Sequence, residues 1–221
     1  MSQCEVRLVA VTKPVIPGVQ TAEEFIAYAA KVSNPDAQIN NETAPRLMRY
    51  LINNKHWSPF EMSHLVIEIK TTRDIARQIL RHRSFSFQEF SQRYADATQL
   101  GFSYSEARLQ DAKNRQASID VVDTELQLEW NEQQSKVLDA VNEAYEWATD
   151  RGIAKEVKRK VLPEGLTNST MYMSGTVRSW LHYVLERKQA GTQKEHRSVA
   201  NKIIPIIQEE FPSISSIIGE M

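Results

Sequence analysis

Hydrophobic and polar positions along the chain alternate between two periods, and the period sets the element. Val6 to Val11 is short, apolar and rich in β-branched residues, so it reads as a strand that ends before Pro14. Thr21 and Glu24 stand three apart ahead of Phe25, Ile26, Ala29 and Ala30, the capping-box signature of a helix start. Asn34-Pro35-Asp36 breaks that helix, and Thr43 with Pro45 opens another that turns Leu47, Met48, Leu51 and Ile52 inward. "NNKHWSPF" reads as a loop. From Ser63 to Lys70 the period drops to two, with Leu65, Ile67 and Ile69 on one face and His64, Val66 and Glu68 on the other, which predicts a strand.

The second half is mostly helical in pattern. Thr72 to His82 carries Ile75, Ile79 and Leu80 inward, and Arg73, Arg77 and Arg81 fall four apart along another face. Asp120 to Arg151 is the longest helical segment, with Leu126, Trp130, Val137, Val141, Tyr145 and Ala148 at helical spacing. A shorter helix follows to about Val161 and stops at Pro163. Thr176 to Gln189 is helical and closed by Gly191. A last helix carries Val199, Ile203 and Ile207, with a bend at Pro205. There is no internal repeat and no evident linker, so one helix-rich domain over residues 1–221 with a modest sheet is expected.

Composition narrows the classes. Hydrophobic residues make up 41% and charged residues 25% of 221, ordinary for a globular chain that buries a core without staples. The single cysteine, Cys4, permits no internal disulfide. The start lacks the apolar stretch of a signal peptide and no run reaches membrane-spanning length, so a cytoplasmic location without membrane contact is expected. A formal net charge of -1 argues against a general nucleic-acid binder. Glycines are too scattered for a GxGxxG or Walker loop, so any nucleotide is held by side chains. No CxxC or HExxH motif occurs, and His56 and His64 read as a loop and a strand-face histidine; no metal is expected. Cys4, before the first strand and without basic neighbours in a motif, reads as structural.

One stretch departs from this neutral background. "RHRSFSFQEFSQR", Arg81 to Arg93, places four basic residues in a row of thirteen. Arginine forks match phosphate oxygens and stay charged. Arg81 and Arg83 point in different directions, which suits wrapping an anion, and Phe85, Phe87 and Phe90 supply anchors for a fixed loop. Nearby acids are scarce: only Glu89 and Asp74 stand close in sequence to balance Lys70, Arg73, Arg77, Arg81, Arg83 and Arg93. Glu89 either accepts from a ligand or holds an arginine. A solvated turn with surface ion pairs is the plain alternative, such pairs contributing ~0–1 kcal/mol.

Arg81-His82-Arg83, seven residues, then Ser91-Gln92-Arg93 resembles the RHR-x7-S-x-R signature of the flavin-dependent thymidylate synthases. "HWSPFEMSH" and "ARQILRHR" upstream, and "RKVLPEGL", "TVRSWLHYVLER" and "GTQKEHR" downstream, resemble the same family in the same order, over roughly residues 55–200. The resemblance implies an α+β, helix-rich single domain with a mainly antiparallel sheet, assembled as a homotetramer with active sites shared between subunits. It implies methylation of dUMP to dTMP, with methylenetetrahydrofolate as carbon donor and NADPH supplying reducing equivalents through FAD. By carry-over, Ser58, Arg81, His82, Arg83, Glu89, Arg178 and His182, with Thr176 nearby, look like FAD contacts. Gln78, Arg81, Glu89, Ser91, Arg93 and Arg159 look like dUMP contacts, and His56 falls near flavin and folate. Arg187 looks like the residue that polarises the uracil ring. Thr176 and His182 stand where relatives often have asparagine, and Glu186 where an apolar residue is common.

A thiolate route to thymidylate has no nucleophile in the matched blocks, so direct, cysteine-free chemistry is expected. Arg178 and Arg187 lie nine residues apart, hence on opposite sides of a straight helix at about 100° per residue. That predicts that they serve different active sites of an oligomer, or different parts of the ligands. The alternative reading is a non-catalytic nucleotide- or nucleic-acid-binding module built on the Arg73, Arg77, Arg81 stripe.

Overall fold

The computed structural model describes residues 4–215. Both ends of the expected 1–221 domain, residues 1–3 and 216–221, lie outside the described residues. The architecture is α+β, with one four-stranded sheet in the order β1-β2-β6-β3 and every neighbouring pair antiparallel. The strands are β1 (Glu5–Val11), β2 (His64–Thr72), β3 (Phe85–Glu89) and β6 (Asn168–Thr176). A separate hairpin joins β4 (Arg108–Gln110) to β5 (Ser118–Asp120).

The alternation in β2 does what its period dictates. Leu65, Ile67 and Ile69 are fully buried, while His64 and Lys70 on the other face are exposed. β6 adds Met171 and Met173 to the same buried face. That face is roofed by helices α3 (Arg73–Ile79), α6 (Val177–Arg187) and α7 (Lys194–Glu210), which bury Ile75 and Ile79, Trp180 and Val184, and Val199, Ile203 and Ile207. An antiparallel sheet covered on one side gives this pattern. Trp180 sits in the core because its indole N–H finds an acceptor, Leu65 O, at 3.2 Å.

Helix α1 (Ala22–Ala30) starts at the expected capping box: Thr21 Oγ1 accepts from the Glu24 backbone N–H, and the Glu24 carboxylate accepts from the Thr21 backbone N–H, both at 3.1 Å. α2 spans Ala44–Asn53, and within the expected loop Ser58–Glu61 forms a 3-10 turn. Helix α4 (Thr124–Asp150) starts four residues later than the pattern suggested, because Asp120 pairs in β5 and Asp123 is the cap, accepting from the N–H groups of Glu125 and Leu126. Short α5 (Lys155–Lys158) and a 3-10 turn to Val161 precede Pro163. α7 continues through the exposed Pro205.

Two corrections bear on the site. The helix expected from Thr72 to His82 begins at Arg73 and ends at Ile79, so Arg81 stands beyond it. The segment read as a fixed loop after His82 is instead edge strand β3, paired with β6 from Phe85↔Gly175 to Glu89↔Met171. Phe85 and Phe87 anchor it as expected, by packing against the core.

Candidate active site

α3, the turn that follows it, the end of α6 and the start of α7 converge on a polar cavity of about 540 Å3. Nine residues line it: Gln78, Arg81, His82, Gln116, Arg187, Gly191, Thr192, Gln193 and His196. None is a carboxylate. Arg187 Nε donates to His82 Nε2 at 3.1 Å, so His82 is neutral with its proton on Nδ1. Burial lowers the His82 pKa, the Arg187 charge lowers it further, and Glu186 opposes both. Neither Arg81 nor Arg187 forms an ion pair among the described residues. Two guanidiniums without ion-pair partners among the described residues and two histidines around an open, carboxylate-free space are chemically suited to an anion.

The remaining residues singled out from sequence fall elsewhere on the chain. Arg83 is exposed, and Arg159 is half-buried in the 3-10 turn after α5; neither is ion-paired among the described residues. Glu89, at the end of β3, holds Arg73 at 3.4 Å and Arg77 at 3.2 Å and accepts from the Ser169 hydroxyl at 2.8 Å. Ser91 is half-buried and accepts from the Arg93 N–H at 3.4 Å. Arg93 is exposed and pairs with Glu156 at 3.4 Å. A second grouping forms near the 3-10 turn that Ser58 opens: His182 packs its ring 5.1 Å from Trp57, and Arg178 pairs with Glu61. His56 stacks edge-on with Tyr50 at 5.9 Å in the exposed loop before that turn. Thr176 caps α6, its hydroxyl accepting from the Ser179 N–H at 3.1 Å. Thus Gln78, Arg81, His82 and Arg187 meet on one cavity, whereas Arg178 faces a different neighbourhood from Arg187.

The local count of acids is corrected by the fold. Glu164 reaches Arg73 at 3.3 Å and Arg77 at 3.0 Å from across the chain, so with Glu89 it neutralises most of the arginine stripe on α3. Sequence reasoning did not single out Gln193, His196 or Tyr183. Two of them lie in the "GTQKEHR" and one in the "TVRSWLHYVLER" block, so a signal was present without a role. Burial pushes the His196 pKa down to about 4, helped by the Arg187 charge. A larger cavity of about 800 Å3 opens between the β4–β5 hairpin and α4, and none of the residues singled out from sequence lines it. Among the described residues no group of three His, Cys, Asp or Glu is placed to hold a metal, and no helix is long and apolar enough to cross a membrane.

Residues 14–213 match the Thy1 family, thymidylate synthase complementing protein. The chain is 52% identical over 209 residues to "Probable flavin-dependent thymidylate synthase" of Paramecium bursaria Chlorella virus 1, covering 95% of this chain and 96% of that one. It is 46% identical over 215 residues to the flavin-dependent thymidylate synthase of Synechocystis, covering 96% and 98%. In fold it resembles the crystal structure of a UMP/dUMP methylase, PolB, from Streptomyces cacaoi bound with 5-Br dUMP, with a TM-score of 0.79 at 24% identity over 98% of this chain and 94% of that one. The signature arginines, the cavity they border and the length of these matches agree: the chain belongs to the Thy1, or flavin-dependent thymidylate synthase, family.

Proposed function

We propose that this chain methylates dUMP to dTMP, with 5,10-methylenetetrahydrofolate as carbon donor and FAD reduced by NADPH, in a single cytoplasmic domain that works as a homotetramer. Membership of the family supports the reaction. The observation that carries it is the cavity bordered by Arg81 and Arg187, both free of carboxylate partners among the described residues. FAD carries a pyrophosphate and dUMP a phosphate; a lining of guanidiniums, amides and a hydroxyl with no carboxylate suits both. When bound, the flavin supplies the reducing equivalents.

The chain's own groups do the rest. Arg187 is held by its Nε–H to His82, leaving its terminal N–H groups for the cavity. Aimed at negative charge developing on the uracil ring, such a preorganised donor is worth ~3–4 kcal/mol, roughly 10²–10³ in rate. Arg93 and Arg159 position the nucleotide phosphate, so their loss raises KM for dUMP more than it lowers kcat. Ser58, Arg83, Glu89, Ser91, His56, Arg178, Thr176 and His182 complete the flavin and substrate contacts. Arg178 pairs with Glu61 while Arg187 pairs with His82, which supports the reading that the two serve different active sites of an oligomer, or differently placed parts of FAD and dUMP. Mixing Arg178→Ala with Arg187→Ala subunits restores activity on this reading; no recovery despite demonstrated exchange overturns the sharing.

Cys4 is buried and does not line the cavity. Burial pushes its thiol up to about 11, the Lys202 charge opposing, so the nucleophilic thiolate is scarce at neutral pH. The test is dTMP formation by purified protein supplied with FAD, NADPH, methylenetetrahydrofolate and dUMP. Wild type and Cys4→Ala should both turn over, within about threefold of each other. Protein that takes up no flavin sinks the proposal, and loss of turnover in folded Cys4→Ala sinks the cysteine-free route.

A further inference from the structure

Behind Gln78 a line of side-chain hydrogen bonds crosses from the β4–β5 hairpin to the buried side of α6. Arg108 Nη2 donates to Glu195 Oε1 at 2.6 Å, and Gln193 Nε2 donates to Glu195 Oε2 at 3.1 Å. Gln78 Nε2 donates to Gln193 Oε1 at 2.7 Å. Gln78 Oε1 faces His196 Nδ1 at 3.3 Å, and His196 Nε2 faces the Tyr183 hydroxyl at 3.0 Å. Amides and imidazoles can each present a donor or an acceptor at either position. The ion pair at the far end cannot, because a guanidinium only donates and an ionised carboxylate only accepts. Burial alone would raise the Glu195 pKa, but the Arg108 bond and charge, its own backbone N–H and the Gln193 bond together outweigh burial and keep the carboxyl below its usual range.

Every other proton then follows in order. Gln193 must turn its N–H toward Glu195, so its carbonyl faces Gln78. Gln78 must answer with N–H, so its own carbonyl faces His196. His196 must therefore carry its proton on Nδ1 and offer a lone pair at Nε2, which Tyr183 fills by donating its hydroxyl proton. Burial keeps both end groups in the needed form: Tyr183 is fully buried with its pKa raised, and His196 stays neutral with Arg187 of α6 and His82 as its charged or titratable neighbours besides Tyr183.

We propose that Glu195 and His196 are positioning residues for Gln78, fixing which edge of its amide is spent inside the protein and which donor and acceptor remain for a ligand in the cavity. This rests on the reading of Gln78 as a dUMP contact, but the proton order itself does not.

The first test is the tautomer of His196 in the purified full-length protein, read from imidazole 15N shifts after 15N-histidine labelling. His196 should be the Nδ1–H tautomer and stay so from about pH 5 to about pH 8. Finding Nε2–H, or a histidine at this position that protonates in that range, overturns the proposal whether or not the protein binds dUMP. The second test is kinetic. His196→Leu removes the bond to Gln78 and should raise KM for dUMP roughly threefold to tenfold, with kcat changed far less, as one neutral hydrogen bond allows. His196→Asn puts an amide N–H toward Gln78 and should recover most of that loss. Glu195→Gln, which removes the fixed end, should match His196→Leu. Equal KM values for the Leu and Asn variants overturn the positioning role, while wild-type protein that ignores dUMP overturns only the assignment of Gln78 to that ligand.

Discussion

Gly175 leaves room in the sheet for the Phe85 ring, and replacing it with alanine tests that geometry. In β6 it sits opposite Phe85 of β3 and Leu65 of β2. A Cβ placed on it would overlap the Phe85 ring, standing 3.3 Å from Cγ and closer still to the ring edge. The ring has little room to retreat: Trp180 lies 4.8 Å away centroid to centroid, Tyr183 6.0 Å, Phe87 6.3 Å and His82 6.4 Å. Overpacking of this kind costs about 1–3 kcal/mol. Relief of unfolded-state entropy returns less than about 1 kcal/mol. Gly175→Ala should therefore lose about 1–2 kcal/mol, or roughly 2–8 °C in Tm for a chain of this size. Urea melts followed by tryptophan fluorescence, at fixed protein concentration, read it directly. Phe85→Leu removes the clashing ring, so in the double variant the alanine should cost little; a favourable coupling of ~1 kcal/mol or more is expected. Unchanged stability in Gly175→Ala, or additive losses in the pair, would refute the claim that the ring occupies the space of a side chain at 175.

Two further outcomes follow from charge. His196 titrates at about 4 in the folded chain against an ordinary 6.5, so between those values the unfolded chain binds more protons. Its contribution is fully present above about pH 6.5 and is lost as pH falls toward 4. By pH 4.5 the loss is roughly 2–3 kcal/mol, and His196→Asn should be spared it; equal acid losses in melts at pH 7.5 and 4.5 count against this. Glu89→Gln should cost more stability than Glu164→Gln, because Glu89 and Arg73 are only 14% and 11% exposed while Glu164 is 52% exposed. Breaking the more buried pair costs ~3 kcal/mol against ~1 kcal/mol or less for the exposed partner, and equal losses in urea melts would contradict that ranking.

Local pattern revealed those elements whose side chains alternate strongly or whose caps are chemical signatures. β2 shows Leu65, Ile67 and Ile69 alternating with His64, Val66, Glu68 and Lys70, and α1 opens on Thr21 and Glu24, so both were legible. β6 was not, although it is a central strand, because its inward positions are Ser169, Met171, Met173 and Gly175. None of these is β-branched or aromatic, and the glycine is there for the Phe85 ring. β3 does alternate, as Phe85-Ser86-Phe87-Gln88, but the helical period running up to Leu80 masked where α3 ends. Of the residues lining the candidate site, Gln78, Arg81, His82 and Arg187 are the ones the signature and its flanking blocks point to. His196 and Gln193 took on a role only when α7 packed beside α3 and α6, a relation that no local window contains.

Charge density misleads for the same reason, and the fold shows where it stops misleading. Of the six cations from Lys70 to Arg93 with few acids nearby in sequence, Lys70 pairs with Glu5, Arg73 and Arg77 with Glu89 and Glu164, and Arg93 with Glu156. Most of those carboxylates lie more than sixty positions away in the chain, so counting acids near the arginines overstated the excess. A binding helix for nucleic acid needs its cations free, and Arg73 and Arg77 are already neutralised. Arg81 and Arg83 are left without an ion pair among the described residues, and Arg81 faces a cavity where the opposite wall adds Arg187 and no acid. What suits this cavity to an anion is therefore the convergence of two guanidiniums, Arg81 and Arg187, on a lining that holds no carboxylate.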